Sequence, residues 1–242
     1  LSLYFCAGCP EKDMTADVIL AMQRHGIDMI EVGIPFSDPL ADGPVIQSAG
    51  TVALKNGMTL ETLFGQLDAI KSQVNIPLVL MGYLNVIMHY GYERFCQRCV
   101  ECGVSGFIIP DLPFDDYLSE IKPLADRYNL RCIMMITPET SEERIRFIDR
   151  NTDGFIYMVS SASITGAQQN FDEAKQQYFQ RINAMNLHNP RMIGFGISNR
   201  QTLESAQNNA AGAIIGSKFV TLLRDTGNAD EALSQLFDAL KK

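Results

Sequence analysis

A single (β/α)8 barrel is the fold that three features of this 242-residue sequence predict. Eight short apolar runs recur along the chain, a segment with helical periodicity follows each, and no linker or composition shift interrupts them. The rival, an open doubly wound sheet, usually carries fewer strands in this length. One domain over residues 1–242 is therefore expected.

Taken in order, LYFCAG is the first strand, with a helix over 15–25. DMIEVG is the second, followed by an acidic loop and a helix over 60–72. PLVLMG, GFIIPD and RCIMMI are the third, fourth and fifth, with helices over 92–102, 114–128 and 141–151. GFIYMV, RMIGFG and AGAII complete the barrel, with helices over 171–185, 199–209 and 230–241. In the last helix Leu233, Leu236, Phe237 and Leu240 fall at i, i+3, i+4 and i+7, the stripe of a helix docked on a core.

Composition narrows the function classes. Hydrophobic residues are 46% and charged residues 20%, enough for a sizeable core. The net charge is −8 without a lysine or arginine block, which argues against nucleic acid or an anionic membrane as partner. No apolar run approaches the roughly 20 residues that span a bilayer, and no signal-peptide pattern opens the chain. The six cysteines do not read as a disulfide framework in a chain this large, so a cytoplasmic location is expected. Cys96, Cys99 and Cys102 suggest a metal cluster at first sight. However, Tyr92, Phe95, Cys96, Cys99 and Val100 share one helical face, with Cys102 near its edge, which favours core packing. Cys6 and Cys9 close a strand rather than open a helix, a weak redox signal.

The stretch EVGIPFSDPLADGP, residues 31–44, carries three carboxylates, three prolines and two glycines without a basic residue. In the second strand Met29, Glu31 and Gly33 share one side and Ile30, Val32 and Ile34 the other. The aliphatic side suits the helix layer, so Glu31 points into the barrel near the mouth where barrel enzymes hold catalytic groups. Desolvation there raises a carboxyl pKa toward the range useful for proton transfer. An internal salt bridge is the alternative, although no lysine or arginine ends a neighbouring strand. Asp42 is placed to reach the cavity from a proline-stiffened loop, while Asp38 suits a helix-capping role.

Three glycine-containing turns follow strands six, seven and eight: SITGA (163–167), GFGIS (194–198) and IGSK (215–218). Loops after strands seven and eight form the usual phosphate site of such barrels, where backbone N–H groups and a helix N-terminus meet the anion. Gly194 opens the second turn, and Ser217 can add a hydroxyl donor. No histidine takes a credible catalytic position, with His25 and His89 reading as helix and loop residues. There is no nucleophile elbow, dinucleotide fingerprint or strand-ending lysine. Acid–base chemistry on a phosphorylated small molecule, without metal or cofactor, fits these residues.

With those residues in view, the chain resembles the tryptophan synthase α-subunit family. EVGIPFSDPLADGPVIQ is that family's most distinctive motif, and MGYLN, IIPDLPFDD, IYMVSSASITGA, IGFGIS and AGAIIGS extend the resemblance over nearly the whole chain. The resemblance implies retro-aldol cleavage of indole-3-glycerol phosphate to indole and glyceraldehyde 3-phosphate. It implies Glu31 as the proton-transfer group, Asp42 as the partner of the indole N–H, and Tyr157 beside the carboxylate. Gly166, Phe195, Gly196, Gly216 and Ser217 match phosphate-binding positions, and Thr165 a loop that closes over substrate. Tyr4, Tyr83, Asn85 and Asp111 match the mouth or its partner-facing rim. The family pairs this subunit with a pyridoxal-phosphate β subunit in an α2β2 assembly, so the cofactor is expected only in the partner.

Some positions depart from the pattern. The sequence begins close to the first strand, without the family's usual N-terminal helix. Cys9 stands where many members carry aspartate, Val86 where many carry proline, and Ser161 where some carry arginine. A sugar-phosphate epimerase is disfavoured because it needs metal-ligating histidines at strand ends. A phosphoribosyl isomerase leaves the acidic loop unexplained. A standalone indole-releasing lyase shares every motif, and a non-catalytic activator of a β subunit is disfavoured by intact Glu31 and Asp42.

Overall fold

The computed structural model describes residues 1–160 and 173–241. Its eight strands are β1 (Ser2–Cys6), β2 (Met29–Gly33), β3 (Leu78–Met81), β4 (Gly106–Ile108), β5 (Arg131–Ile136), β6 (Ile156–Val159), β7 (Arg191–Gly194) and β8 (Gly212–Ile215). They pair in parallel in sequence order, and β1 closes on β8. The chain is thus a single-domain (β/α)8 barrel.

Twelve α-helical segments surround it among the described residues: α1 (Thr15–Arg24), α2 (Pro44–Lys55), α3 (Leu60–Ile70), α4 (Leu84–Tyr90), α5 (Tyr92–Glu101), α6 (Phe114–Asp116), α7 (Lys122–Arg127), α8 (Glu142–Asn151), α9 (Glu173–Ala184), α10 (Arg200–Asn209), α11 (Ser217–Thr226) and α12 (Ala229–Lys241). A π-helical turn, Tyr117–Ile121, joins α6 to α7, so the helix expected over 114–128 has an irregular middle. Helix starts follow local chemistry. Thr59 accepts from the N–H of Thr62 and Ser141 from that of Arg144, and Asn199 with Thr202 forms a capping box. Gly227, at φ 62°, ends α11 in a left-handed conformation suited to glycine.

Helix α2 was not expected, because it buries only Ala49, Gly50 and Ala53 and so shows no stripe of large apolar residues. Helix α4 is only seven residues long and carries His89, which is therefore helical rather than in a loop.

Between barrel and helices, Phe64, Phe95 and Phe107 interlock edge-on at ring separations of 6.0 and 5.4 Å. Burying each contributes roughly 2–3 kcal/mol relative to exposure. The cysteine expectation needs one adjustment. Cys96 and Cys99 are buried on α5 as expected, but Val100 is exposed at the edge of that face. Cys102 is fully packed, its thiol donating to the carbonyl of Phe64. All six cysteines are free thiols.

Candidate active site

The mouth at the C-terminal ends of the strands holds a cavity lined by Tyr4, Asp42, Met81, Tyr157, Phe195, Gly196, Gly216 and Ser217, among others. Alternation along each strand accounts for its walls, since inward residues two apart face the same space. Met81, Ile197, Ile214 and the Val45–Ile46 start of α2 also line it and were not singled out in the sequence. Period-two alternation could have picked out Met81 and Ile214. Val45 and Ile46 gave no such signal.

Glu31 sits inside β2 with 0% exposure, beneath the cavity rather than on its surface. Neither carboxyl oxygen has a hydrogen-bond partner, and no described cation forms an ion pair with it, so the salt-bridge alternative is not realised. Burial alone pushes its pKa up to about 8. Tyr4 lies opposite it in the β1–β2 register. Burial holds the Tyr157 hydroxyl protonated, and the nearby charges of Glu31 and Asp42 act in the same direction.

Asp42 comes from the loop between β2 and α2. It is 8% exposed, and its Oδ2 accepts a hydrogen bond from the Tyr83 hydroxyl at 3.0 Å. The same hydroxyl accepts from the N–H of Ala41 at 3.0 Å, and the Tyr83 ring stacks on Phe36 at 5.2 Å. At the loop's other end, Gln47 Nε2 donates to the carbonyl of Asp42 at 2.8 Å. The loop therefore folds over Tyr83, which stands behind Asp42 and not on the cavity wall. Burial raises the pKa of Asp42 to about 6 against the lowering effect of the Tyr83 bond.

Asp38 accepts from Ser37 Oγ and caps no helix, because Gly43 precedes the first residue of α2, Pro44, with no side-chain cap. Leu40, at the loop tip, is 85% exposed. Asp111 lies outside the cavity. Its Oδ1 accepts from the N–H of Leu84 at 2.9 Å and holds the start of α4, on whose exposed side Asn85 lies.

Across the cavity, the chain leaves β7 through two consecutive left-handed residues, Phe195 (φ 70°) and Gly196 (φ 79°). Phenylalanine in that conformation costs of order 1 kcal/mol or more and is found where function fixes the backbone. The carbonyl of Phe195 is held by the Ser160 hydroxyl at 2.6 Å, and its ring meets Tyr157 edge-on at 6.1 Å. Gly216 precedes α11, and Ser217 is its first residue, so the free N–H groups of that helix start lie at the cavity. Thr165 and Gly166, with the whole SITGA turn and Ser161, lie outside the described residues.

Two glycines make room for the tyrosines. A Cβ on Gly33 would lie 2.1 Å from the Tyr4 hydroxyl, and one on Gly194 would lie 2.3 Å from the Tyr157 hydroxyl. Both pairs share one geometry. Tyr4 is opposite Glu31, two residues before Gly33, and Tyr157 is opposite Met192, two residues before Gly194. Gly194 therefore supports the cavity from behind rather than lining it.

Among the described residues, no three His, Cys, Asp or Glu side chains group to hold a metal ion. The site combines one unpaired buried acid, a second acid on a clamped loop, and a helix N-terminus facing them.

Known proteins match the chain over its full length. The family model described as tryptophan synthase alpha chain matches residues 1–241. The tryptophan synthase alpha chain of Parabacteroides distasonis is 63% identical over 242 residues, covering 100% of this chain and 94% of the relative. That of Phocaeicola vulgatus is 64% identical with the same coverage. Among solved structures, the tryptophan synthase subunit from the hyperthermophile Pyrococcus furiosus superposes with a TM-score of 0.91 at 32% identity, covering 100% of this chain and 97% of that one. On sequence and on fold alike, the chain belongs to the tryptophan synthase alpha chain family.

Proposed function

We propose that this chain cleaves indole-3-glycerol phosphate to indole and D-glyceraldehyde 3-phosphate, as the α subunit of a tryptophan synthase in L-tryptophan biosynthesis. One observation carries the chemical reading. Two buried carboxyls have pKa values on either side of neutrality, about 8 for Glu31 and about 6 for Asp42, and a helix N-terminus faces them across the cavity.

At neutral pH Glu31 is protonated and Asp42 ionised. Glu31 gives its proton to the ring carbon that carries the side chain, and Asp42 accepts the indole N–H as positive charge develops on the ring. The electron pair of the breaking carbon–carbon bond returns to the ring. The hydroxyl on the departing carbon becomes an aldehyde, and its proton passes to the Glu31 carboxylate. Proton count and charge both balance. Glu31 is fully buried and does not line the cavity, so its carboxyl must swing into it to reach the ring carbon.

Tyr157 and Tyr4 wall the indole, with Tyr83 holding Asp42 in place. The phosphate meets backbone N–H groups around Phe195, Gly196 and Gly216 and the Ser217 hydroxyl, while Gly194 makes room for the Tyr157 ring. Thr165 and Gly166 are assigned by resemblance to a loop closing over the substrate.

The chain needs no cofactor of its own in this reading, since pyridoxal phosphate belongs to the β subunit of the α2β2 assembly. We assign it to the cytoplasm, where six free cysteines persist as thiols. Among the described residues, no helix is long and apolar enough to cross a membrane.

The test is indole release from indole-3-glycerol phosphate by the purified chain, with and without a β subunit, alongside Glu31→Gln. Slow release that rises with the partner and disappears in the variant supports the full reading. Fast release without a partner marks a standalone lyase, and no release under either condition refutes the activity.

A further inference from the structure

We infer that Lys218 is a phosphate-binding side chain of this site, adding a full positive charge to a cradle otherwise built of neutral N–H and O–H donors. The inference rests on the reading of the cavity given above and extends it to a residue that reading does not use.

Lys218 is the second residue of α11 and lines the cavity immediately after Gly216 and Ser217. Among the described residues that line this cavity, it alone has a cationic side chain. It is half-buried, and its ammonium has no ion pair or hydrogen bond with another described residue. The next residues of the helix, Phe219 and Val220, are buried against the barrel and fix where α11 begins. The lysine stem is thus held at the cavity rim while its head stays free to meet a ligand.

Charge makes the case for that ligand. A phosphate monoester carries between one and two negative charges at neutral pH. The cavity already holds the Asp42 carboxylate, and the chain as a whole carries −8. A helix N-terminus supplies the equivalent of only about half a positive charge. An unpaired ammonium at the same helix start offsets the remaining repulsion and forms a charge-assisted contact with a phosphate oxygen.

The experiment is calorimetric titration of the purified chain with glycerol 3-phosphate, comparing wild type, Lys218→Ala, Lys218→Arg and Lys55→Ala, at low and at near-physiological salt. Lys55 ends α2, is exposed and does not line the cavity, so it serves as the control. Lys218→Ala is expected to weaken binding about tenfold at low salt and to lose most of the salt dependence, whereas Lys218→Arg keeps both. In turnover the loss falls on KM more than on kcat. The preference for indole-3-glycerol phosphate over its dephosphorylated form falls by the same factor.

Wild-type affinity and salt dependence in Lys218→Ala would overturn the inference. The two readings fail separately. If wild type releases no indole yet Lys218→Ala still weakens glycerol 3-phosphate binding, the phosphate contact stands and the lyase assignment falls.

Discussion

Glu31 should weaken the fold it belongs to, and the cost should depend on pH. Its carboxyl is fully buried without a hydrogen-bond partner, and its pKa rises from the usual 4.5 to about 8. Below pH 4.5 both folded and unfolded chains hold the proton, and no ionisation is suppressed. Between 4.5 and about 8 the unfolded chain releases the proton while the folded chain keeps it, so stability falls as pH rises. Each pH unit in that window is worth about 1.36 kcal/mol, so the loss between pH 5 and pH 7 is about 3 kcal/mol.

Glu31→Gln removes the titration and keeps the shape. Any fixed cost of burying the amide is the same at both pH values and cancels. Urea unfolding of both proteins at pH 5 and pH 7 is the assay, and the variant should gain about 3 kcal/mol on wild type between the two conditions. In thermal melts the same gain corresponds to roughly 6–12 °C for a chain of this size. A difference that does not change with pH would refute the argument, because it would mean that Glu31 titrates alike in both states.

Other outcomes follow from the same geometry. With Asp42 ionised above about 6 and Glu31 protonated below about 8, kcat/KM should form a bell with its plateau between those values. Tyr83→Phe removes the bond that lowers the Asp42 pKa, so the acid limb should move up by about one pH unit while the alkaline limb stays. Asp42→Asn should cut kcat by roughly 10²-fold or more. Gly194→Ala would drive a methyl into the Tyr157 ring and should cost about 1–3 kcal/mol of stability together with a marked loss of turnover.

Much of this architecture was legible in the sequence because it rests on periodicity. Seven of the eight strands fall within the runs that alternation and apolar content single out, β1 starts one residue before its run, at Ser2, and Glu31 could be turned inward from its neighbours alone. Asp42 was separable from Asp38 by its place just before Gly43.

What escaped has a physical reason in each case. Helix α2 faces the barrel with alanine and glycine, so it carries no apolar stripe. The packing of Cys102 depends on Phe64, a contact with a distant helix that no local pattern encodes. The clamp of Tyr83 on Asp42 joins residues 41 positions apart, and Asp111 reaches 27 positions back to start α4. The left-handed turn at Phe195 looks unremarkable in sequence because phenylalanine does not advertise positive φ as glycine does.

The paired tyrosines and glycines constrain how this barrel can change over time. Tyr4 with Gly33, and Tyr157 with Gly194, each divide a fixed volume between two adjacent strands. A larger residue at either glycine is tolerated only after its tyrosine has shrunk, and a shrunken tyrosine leaves a void until the glycine grows. Each pair therefore behaves as one locus spread over two codons. A lineage that reshapes the cavity at these positions must pass through an intermediate that is either overfilled or hollow.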